Sequence, residues 1–204
     1  MGDESSPAIA GTTPSDILTW WIEEVGPEGW YAGGEDLDAE IRDRWGETYD
    51  TLLTGAFGLW LTGAGGSLAY ILLTDQFTRN MFRGSERSFE ADSLARAVAK
   101  AAIAKDWDLR IPGMERQFFY MPLVHSENLV DQDRAVRLIK ERMPDKGEAN
   151  LIHARAHRAI IRRFGRFPYR NDALGRQTTE AEAEWMKTTG YKGELQALQA
   201  RDRG

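Results

Sequence analysis

The spacing of apolar residues along the chain is helical almost throughout. Leu37, Ile41, Trp45 and Tyr49 recur every four residues, which places them on one face of an α-helix. Residues 68–82 are apolar nearly all round, a pattern typical of a buried helix. No stretch alternates apolar and polar residues beside a hairpin turn, as paired β-strands would. We therefore expect an all-α protein.

Capping residues mark where several helices begin and end. Thr13 and Thr179 are each followed three residues later by an acid, Asp16 and Glu182, and this capping-box pattern predicts a helix N-terminus. Gly165 predicts a helix C-terminus in the left-handed conformation. These signals and the short connections predict about eight helices in antiparallel pairs, arranged as a bundle or as an α-solenoid.

Length and composition bound the organisation of the chain. Its 204 residues correspond to about one domain. Residues 1–13 are mostly small and polar and are expected to be disordered, which leaves residues 14–204 as a single all-α domain. The sequence has no cysteine, which excludes a disulfide scaffold, a thiolate nucleophile and a cysteine-ligated metal site.

Charge and hydropathy argue against two classes of partner. The net charge of −6 is opposite to that of a general nucleic-acid binder. No apolar run reaches the length of about 18 residues that indicates a transmembrane helix, and the N-terminus lacks the basic and apolar regions of a signal peptide. We expect a cytoplasmic protein that binds neither nucleic acid nor membrane.

The sharpest polar signal lies at the end of the apolar segment 68–82. Asp75 and Arg79 are four residues apart and in line with the leucines of that helix, so they can pair. Gln76 and Asn80 lie on the adjacent flank. Because a buried unpaired charge costs several kcal/mol, this set either forms an internal polar network or binds something.

The three histidines raise the question of a metal site. His153 and His157 are four residues apart on one helix face, a spacing that zinc-protease helices use. No acid adjoins them as it does there, and a third ligand would have to be His125 or Glu127. A histidine at the edge of the core with a hydrogen-bond partner is more common, so we predict no metal site and no cofactor.

A second polar cluster follows Pro122. Ser126 is expected to be a helix N-cap rather than a nucleophile, because sequence neighbours such as His125 and Glu127 rarely reach the geometry of a Ser–His–acid triad. Gln132 falls on the apolar stripe of the helix that follows and is expected to face inward.

Several segments, in this order along the chain, carry a family resemblance. They are LLTDQFTRNMFRG at 72–84, FEAD at 89–92, MPLVHSE at 121–127 with Asp131-Gln132, and FGRFPYRN at 164–171. Together they resemble the bacterial family called domain of unknown function 924, over about residues 15 to 187. The resemblance implies an all-α fold similar to tetratricopeptide-repeat superhelices. It implies no reaction.

The family pattern also emphasises particular residues of this chain. The positions that match it are Asp75, Gln76, Arg79, Asn80, Arg83, Asp92, His125, Ser126, Glu127, Gln132, His157, Arg166, Arg170 and Asn171. The chain departs from the pattern at Thr78, where the family has proline, and at Tyr169, where it has histidine. His153 is not among the matching positions, which further weakens a metal site at that helix.

Inward-facing polar residues indicate a small-molecule site between the helices. Convergent arginines favour a carboxylate or phosphate ligand, and a histidine oriented by an acid is the usual general acid–base group. The candidate catalytic residues are His125, Glu127, His157 and Asp75. The candidate ligand-binding residues are Arg79, Asn80, Arg83, Gln76, Gln132, Arg166, Arg170 and Asn171.

Two alternatives stay open beside this hypothesis. The tetratricopeptide-like resemblance favours a scaffold whose concave face binds a peptide or protein partner. The polar set can also be purely structural, as a buried network that fixes the packing of the helices.

Overall fold

The computed structural model describes residues 11–202, and no β-strand occurs among them. The α-helices are α1 (Pro14–Leu18), α2 (Gly26–Gly29), α3 (Glu35–Leu53), α4 (Ala64–Ile71), α5 (Thr78–Met81), α6 (Asp92–Ala104), α7 (Met121–Val124), α8 (Leu129–Arg142), α9 (Glu148–Phe164), α10 (Glu180–Thr188) and α11 (Gly190–Asp202). The all-α prediction is confirmed. The expected disorder of residues 1–13 falls for the most part outside the described residues.

Two π-helical segments extend these helices. Thr19–Val25 continues α1, and Leu72–Phe77 joins α4 to α5. The second makes one unbroken helix from Ala64 to Met81, so the buried helix predicted over 68–82 starts four residues earlier. Short 3₁₀ turns supply other connections, at Gly58–Thr62, Glu86–Phe89, Asp108–Arg110, Glu115–Phe119 and Pro168–Arg170.

The predicted helix ends agree with the structure at three of four places. The capping boxes at Thr13 and Thr179 are both formed, and Gly165 ends α9 in the left-handed conformation with φ of 70°. The expected N-cap at Ser126 is wrong. Asn128 caps α8 instead, because its side chain accepts a hydrogen bond from the Val130 N–H.

Aromatic rings dominate the larger of two hydrophobic clusters. Phe77 packs edge-on against Trp21 and Trp20, with ring centroids 5.0 and 5.7 Å apart, and Trp45 lies on its other side. Aromatic pairs at these distances add about 0.5–1.5 kcal/mol beyond the area they bury. The buried helix 64–81 therefore runs through the centre of this cluster.

A smaller cluster lies near the C-terminus of the described chain. Ile160 and Ile161 of α9 pack with Phe167 and with Trp185 of α10. Helices α8 and α9 pack against each other, as does α11 against α9. The segment 165–176, which follows α9, is held against the turn between α7 and α8 by hydrogen bonds from Phe167 and Arg176 to Glu127. No helix of residues 11–202 is both long enough and apolar enough to cross a membrane.

Candidate functional site

Asp75 and His125 form a buried pair at the centre of the site. Asp75 lies in the π-helical segment and is 1% exposed, and His125 follows α7. The Nδ1 atom of His125 is 2.8 Å from Oδ2 and 2.9 Å from Oδ1 of Asp75. Burial alone would raise the pKa of Asp75, but the nearby charges of His125 and Arg79 and the hydrogen bond from His125 lower it below its ordinary value. Asp75 is therefore an ionised carboxylate that accepts a hydrogen bond from the Nδ1–H group of His125.

Arg79 connects this pair to a second carboxylate. Its Nη2 atom lies 3.5 Å from Asp75 but 2.8 Å from Oδ1 of Asp92, and Nη1 donates to the carbonyl oxygen of Ser88. The predicted pair of Asp75 and Arg79 is thus present, although Asp92 is the closer partner. Burial raises the pKa of Asp92 despite the charge of Arg79 beside it.

Arg170 is the least satisfied charge of the site. Its side chain is 8% exposed, and the nearest carboxylate oxygen, Oδ2 of Asp92, is 3.7 Å away. Its guanidinium makes no hydrogen bond with any described residue. Its guanidinium lies over the rings of Phe167 and Phe89, at 4.4 and 4.8 Å from their centroids. Burial, together with the charge of Arg79, lowers the pKa of Arg170.

Two cavities meet at His125. The first, which we call cavity A, has a volume of about 630 Å³ and is lined mainly by aromatic side chains, among them Tyr31, His125, His153, His157, Tyr169 and Tyr191. The second, cavity B, has a volume of about 430 Å³, and its polar lining includes Asp92, Ser93, Arg96, His125, Asn128 and Arg170. His125 lies in the wall of both.

His157 is held in its neutral form. Its Nδ1 atom lies 2.9 Å from the carbonyl oxygen of His153 and must therefore carry a proton that it donates. Burial, and then the charge of His125, lowers the pKa of His157 to about 3. The ring centroids of His157 and His125 are 6.3 Å apart. At neutral pH the Nε2 atom of His157 is thus an acceptor in the wall of cavity A.

Glu127 positions the segment that carries Arg170. Its carboxylate accepts hydrogen bonds from Nη1 and Nη2 of Arg176, at 2.7 and 3.1 Å, and from the Phe167 N–H at 2.8 Å. Burial raises the pKa of Glu127, but the bonds from Arg176 and Phe167 bring it below its ordinary value. Both oxygens are therefore occupied before any ligand enters cavity B.

A family model now places the chain among known proteins. It is described as bacterial protein of unknown function (DUF924), and it matches residues 17–190. The chain belongs to the DUF924 family. It is also similar to a solved structure of a protein of unknown function, ATU0120 from Agrobacterium tumefaciens, with 37% identity and a TM-score of 0.80 over 85% of this chain and 96% of that one. No curated protein matches significantly.

Two of the predicted ligand-binding residues of this DUF924 protein lie away from both cavities. Arg83 donates to both oxygens of Asp38, at 2.7 and 2.9 Å, and Asn80 donates to the same carboxylate at 2.7 Å. These bonds tie α5 to α3. The hydrogen bond from Arg83 is the main cause of a lowered pKa at Asp38.

Further predicted residues fasten turns rather than line a cavity. Gln132 donates to the carbonyl oxygens of Val124 and Ser126, and Arg166 pairs with Glu182 at 2.6 Å. The remaining member of this group is Asn171, which accepts from Arg176 at 3.0 Å. Gln76 does neither, because its side chain makes no hydrogen bond with the described residues and it lines neither cavity.

Several residues that line the two cavities of this DUF924 protein are absent from the sequence-based set, and three of them carry polar groups of interest. Ser93 and Arg96 line cavity B, and Tyr191 lines cavity A. Arg96 follows Asp92 by one helical turn, a spacing that puts both on one face and that the sequence does contain. Tyr191 lies just beyond the matched residues 17–190, so no family pattern points to it. Among residues 11–202, no three His, Asp or Glu side chains are grouped as metal ligands.

Proposed function

We propose that this DUF924 protein binds a small anionic ligand, a carboxylate or a phosphate, in cavity B. The observation that supports this is the buried guanidinium of Arg170, which has no hydrogen bond from the described chain. Burying a cation is costly unless it is paired and hydrogen-bonded. A bound carboxylate or phosphate would supply both, because its oxygens match the planar fork of arginine.

The other charges of cavity B favour the same kind of ligand. Its carboxylates are engaged: Asp92 accepts from Arg79, Glu127 accepts from Arg176, and Glu90 accepts from Tyr49. In contrast, the side chains of Arg96 and Arg170 make no hydrogen bond within the described residues. The charged side chains of this cavity that keep N–H groups available are therefore these two arginines.

His125 is the proposed acid–base group for such a ligand. The ionised Asp75 accepts a hydrogen bond from Nδ1–H, so it fixes the tautomer and the orientation of the ring. This leaves Nε2 to exchange a proton with the ligand, as in other His–carboxylate pairs. In this proposal Asp75 and Glu127 are positioning residues, and His157 is a neutral hydrogen-bond acceptor at the neighbouring wall.

Calorimetric titration with inorganic phosphate and with acetate tests the proposal. We expect one of these anions to bind, and we expect Arg170→Gln to weaken its binding at least tenfold, which is about 1.4 kcal/mol. Arg170→Lys keeps the charge but loses the paired N–H donors of the guanidinium, so an intermediate loss of affinity is expected. The exposed Arg110, which lines neither cavity, provides the control Arg110→Gln.

Two results would contradict the anion site. One is that the wild-type protein binds neither phosphate nor acetate. The other is that a folded Arg170→Gln variant binds as well as wild type does. A tetratricopeptide-like scaffold that binds a peptide or protein stays a prediction of the family resemblance.

A further inference from the structure

We propose that the anionic ligand of cavity B also carries an aromatic ring, and that this ring occupies cavity A with His125 beside the bond that joins the two parts. The inference rests on the proposed function and names its substrate class as small aryl carboxylates or aryl phosphates. Its evidence is the chemistry of cavity A and the way in which the two cavities adjoin.

The aromatic lining of cavity A favours a flat, apolar group. Tyr191 of α11 lies 5.0 Å from the ring of His157 and 6.4 Å from that of Tyr169, measured between centroids, and it stacks on His153 at 5.9 Å. Such distances are typical of favourable aromatic packing. The volume of about 630 Å³ is within the range of small-molecule sites. A ring inserted here would be faced by other rings.

Apart from His125, which it shares with cavity B, the wall of cavity A carries no fixed charge. Its described lining residues include no Asp, Glu, Lys or Arg. His157 is neutral, because burial brings its pKa to about 3. Burial also lowers the pKa of His153 and raises the pKa of Tyr191 to about 12, so both are neutral near pH 7. An anionic group therefore finds an arginine to pair with only in cavity B.

The two cavities are neighbours along the same short segment. Tyr169 lines cavity A and the next residue, Arg170, lines cavity B, and consecutive Cα atoms are only about 3.8 Å apart. The ring of Phe167 lies 5.3 Å from that of His157 and 4.4 Å from the guanidinium of Arg170. With His125 in both walls, a compact ligand can reach both cavities.

The polar groups at the edge of cavity A favour a position of the ligand in which the junction between its ring and its anionic group lies near His125. Asn150 and Tyr31 both donate to Oε1 of Gln117, and the hydroxyl of Tyr191 is bonded to His153. These polar groups are thus engaged with one another. Among the groups of this wall, the imidazole of His125 is oriented by a carboxylate and also lines cavity B.

Paired probes test the inference by calorimetric titration. Phenyl phosphate is compared with inorganic phosphate, and phenylacetate with acetate. We expect the aryl member of at least one pair to bind ten times more tightly than the small anion. Tyr191→Ala should remove that gain and leave the affinity for the small anion within about twofold, whereas Arg170→Gln should weaken both members of the pair.

Two further variants keep the test independent of folding. Tyr191→Phe retains the ring and should retain the gain, even if Tyr191→Ala fails to fold. Leu59→Ala is the control, because Leu59 is 83% exposed and lines neither cavity.

The inference is overturned if no aryl anion binds more tightly than its small partner, or if a folded Tyr191→Ala variant keeps the gain. It is also overturned if phenol binds without competing with phenyl phosphate, since the cavities would then be separate sites. Each of these results leaves Arg170 and the proposed anion site standing, whereas absent anion binding overturns both.

Discussion

At the scale of single residues, the buried charges of this protein differ in how completely they are paired and hydrogen-bonded. Asp75 has two cationic neighbours, and Arg79 has three acceptors although its Nε atom has no partner among the described residues, whereas the side chain of Arg170 has only an ion pair at 3.7 Å. A satisfied network can be purely structural. The unsatisfied member is the one that points to a ligand.

His157 carries a prediction about pH. Its pKa is about 3 in the folded protein and about 6.5 in an unfolded chain, so between these values the unfolded state binds a proton that the folded state does not. Stability contributed by neutral His157 is complete above about pH 6.5 and is lost as the pH falls. Urea unfolding at pH 7 and pH 5 should show that wild type loses more stability than His157→Gln.

The size of this effect follows from proton linkage. The difference between wild type and His157→Gln should approach, at most, about 1.4 kcal/mol per pH unit in this range. His153, which is more exposed, supplies the comparison His153→Gln, for which a smaller difference is expected. Identical pH dependence in wild type and His157→Gln would show that the burial of this imidazole has no energetic cost.

The sequence predicts some residue partners and not others. Asp75 and Arg79 are one helical turn apart, so their proximity follows from helical geometry. The partner of Arg83 is Asp38, which precedes it by 45 residues, and the partner of His125 is Asp75, 50 residues away. Spacing within one helix carries no information about which other helix will pack against it.

At the scale of elements, the segment 165–176 depends on contacts with the turn after α7. Arg176 donates to both oxygens of Glu127 and to the carbonyl oxygen of Phe167. Glu127 in turn accepts from the Phe167 N–H. One arginine and one carboxylate thus hold in place the chain that presents Tyr169 to cavity A and Arg170 to cavity B.

Arg176→Ala should loosen this segment locally. Glu127 would keep only the bond from the Phe167 N–H, and leaving a partly buried charge without its partner costs about 1–3 kcal/mol. Hydrogen exchange of residues 166–176 is expected to accelerate by about tenfold or more. The control is Arg162→Ala on α9, whose ion pair with Asp133 is exposed at both ends and contributes about 0–1 kcal/mol. Unchanged exchange in the Arg176→Ala variant would contradict this account.

Element boundaries were predictable where one residue has one role. Thr13, Thr179 and Gly165 have local signals, and the structure confirms them. Ser126 and Asn128 are both good N-cap residues two positions apart, and the choice between them depends on Asp131, which accepts from the Ser126 hydroxyl at 2.9 Å. Because packing decides between the two residues, the sequence alone predicts the wrong N-cap for α8.

At the scale of the whole molecule, the chain has two hydrophobic clusters of unequal size. The larger contains the buried helix 64–81, and the smaller contains Ile160, Ile161, Phe167 and Trp185. Because the smaller cluster holds α10 and α11 with few buried side chains, the C-terminal helices are expected to open at lower free energy than the rest.

Trp185→Ala tests whether the small cluster opens on its own. Trp185 is 2% exposed, and truncating a buried tryptophan costs about 3–5 kcal/mol. Hydrogen exchange should show lost protection in α10 and α11 while α4 stays protected. Met186→Ala, a change at the next residue, which is 38% exposed, should leave both regions as they are. Equal loss of protection in α4 would mean that the two clusters unfold together.

The architecture was predictable to the level of fold class and family. Helical periodicity, the lack of strand patterns and the family motifs lead to an all-α DUF924 protein, as found here. A tetratricopeptide-like superhelix stays a prediction. The two cavities could not be foreseen, because Tyr31, His125, His157 and Tyr191 come from four distant parts of the chain and no local pattern relates them.

The π-helical turn determines the direction in which each later side chain of the buried helix points. In an α-helix one residue corresponds to a rotation of about 100°, so a widened turn acts as an inserted residue in the middle of the element. Asp75 faces His125, while Arg79 faces Asp92 and Asn80 faces Asp38. Removing one residue from Leu72–Phe77 would restore a regular helix and rotate Arg79 and Asn80 together away from their carboxylates. The offset therefore lets a single helix contribute both to the proposed ligand site and to the contact with α3, and a chain one residue shorter here could satisfy only one of them.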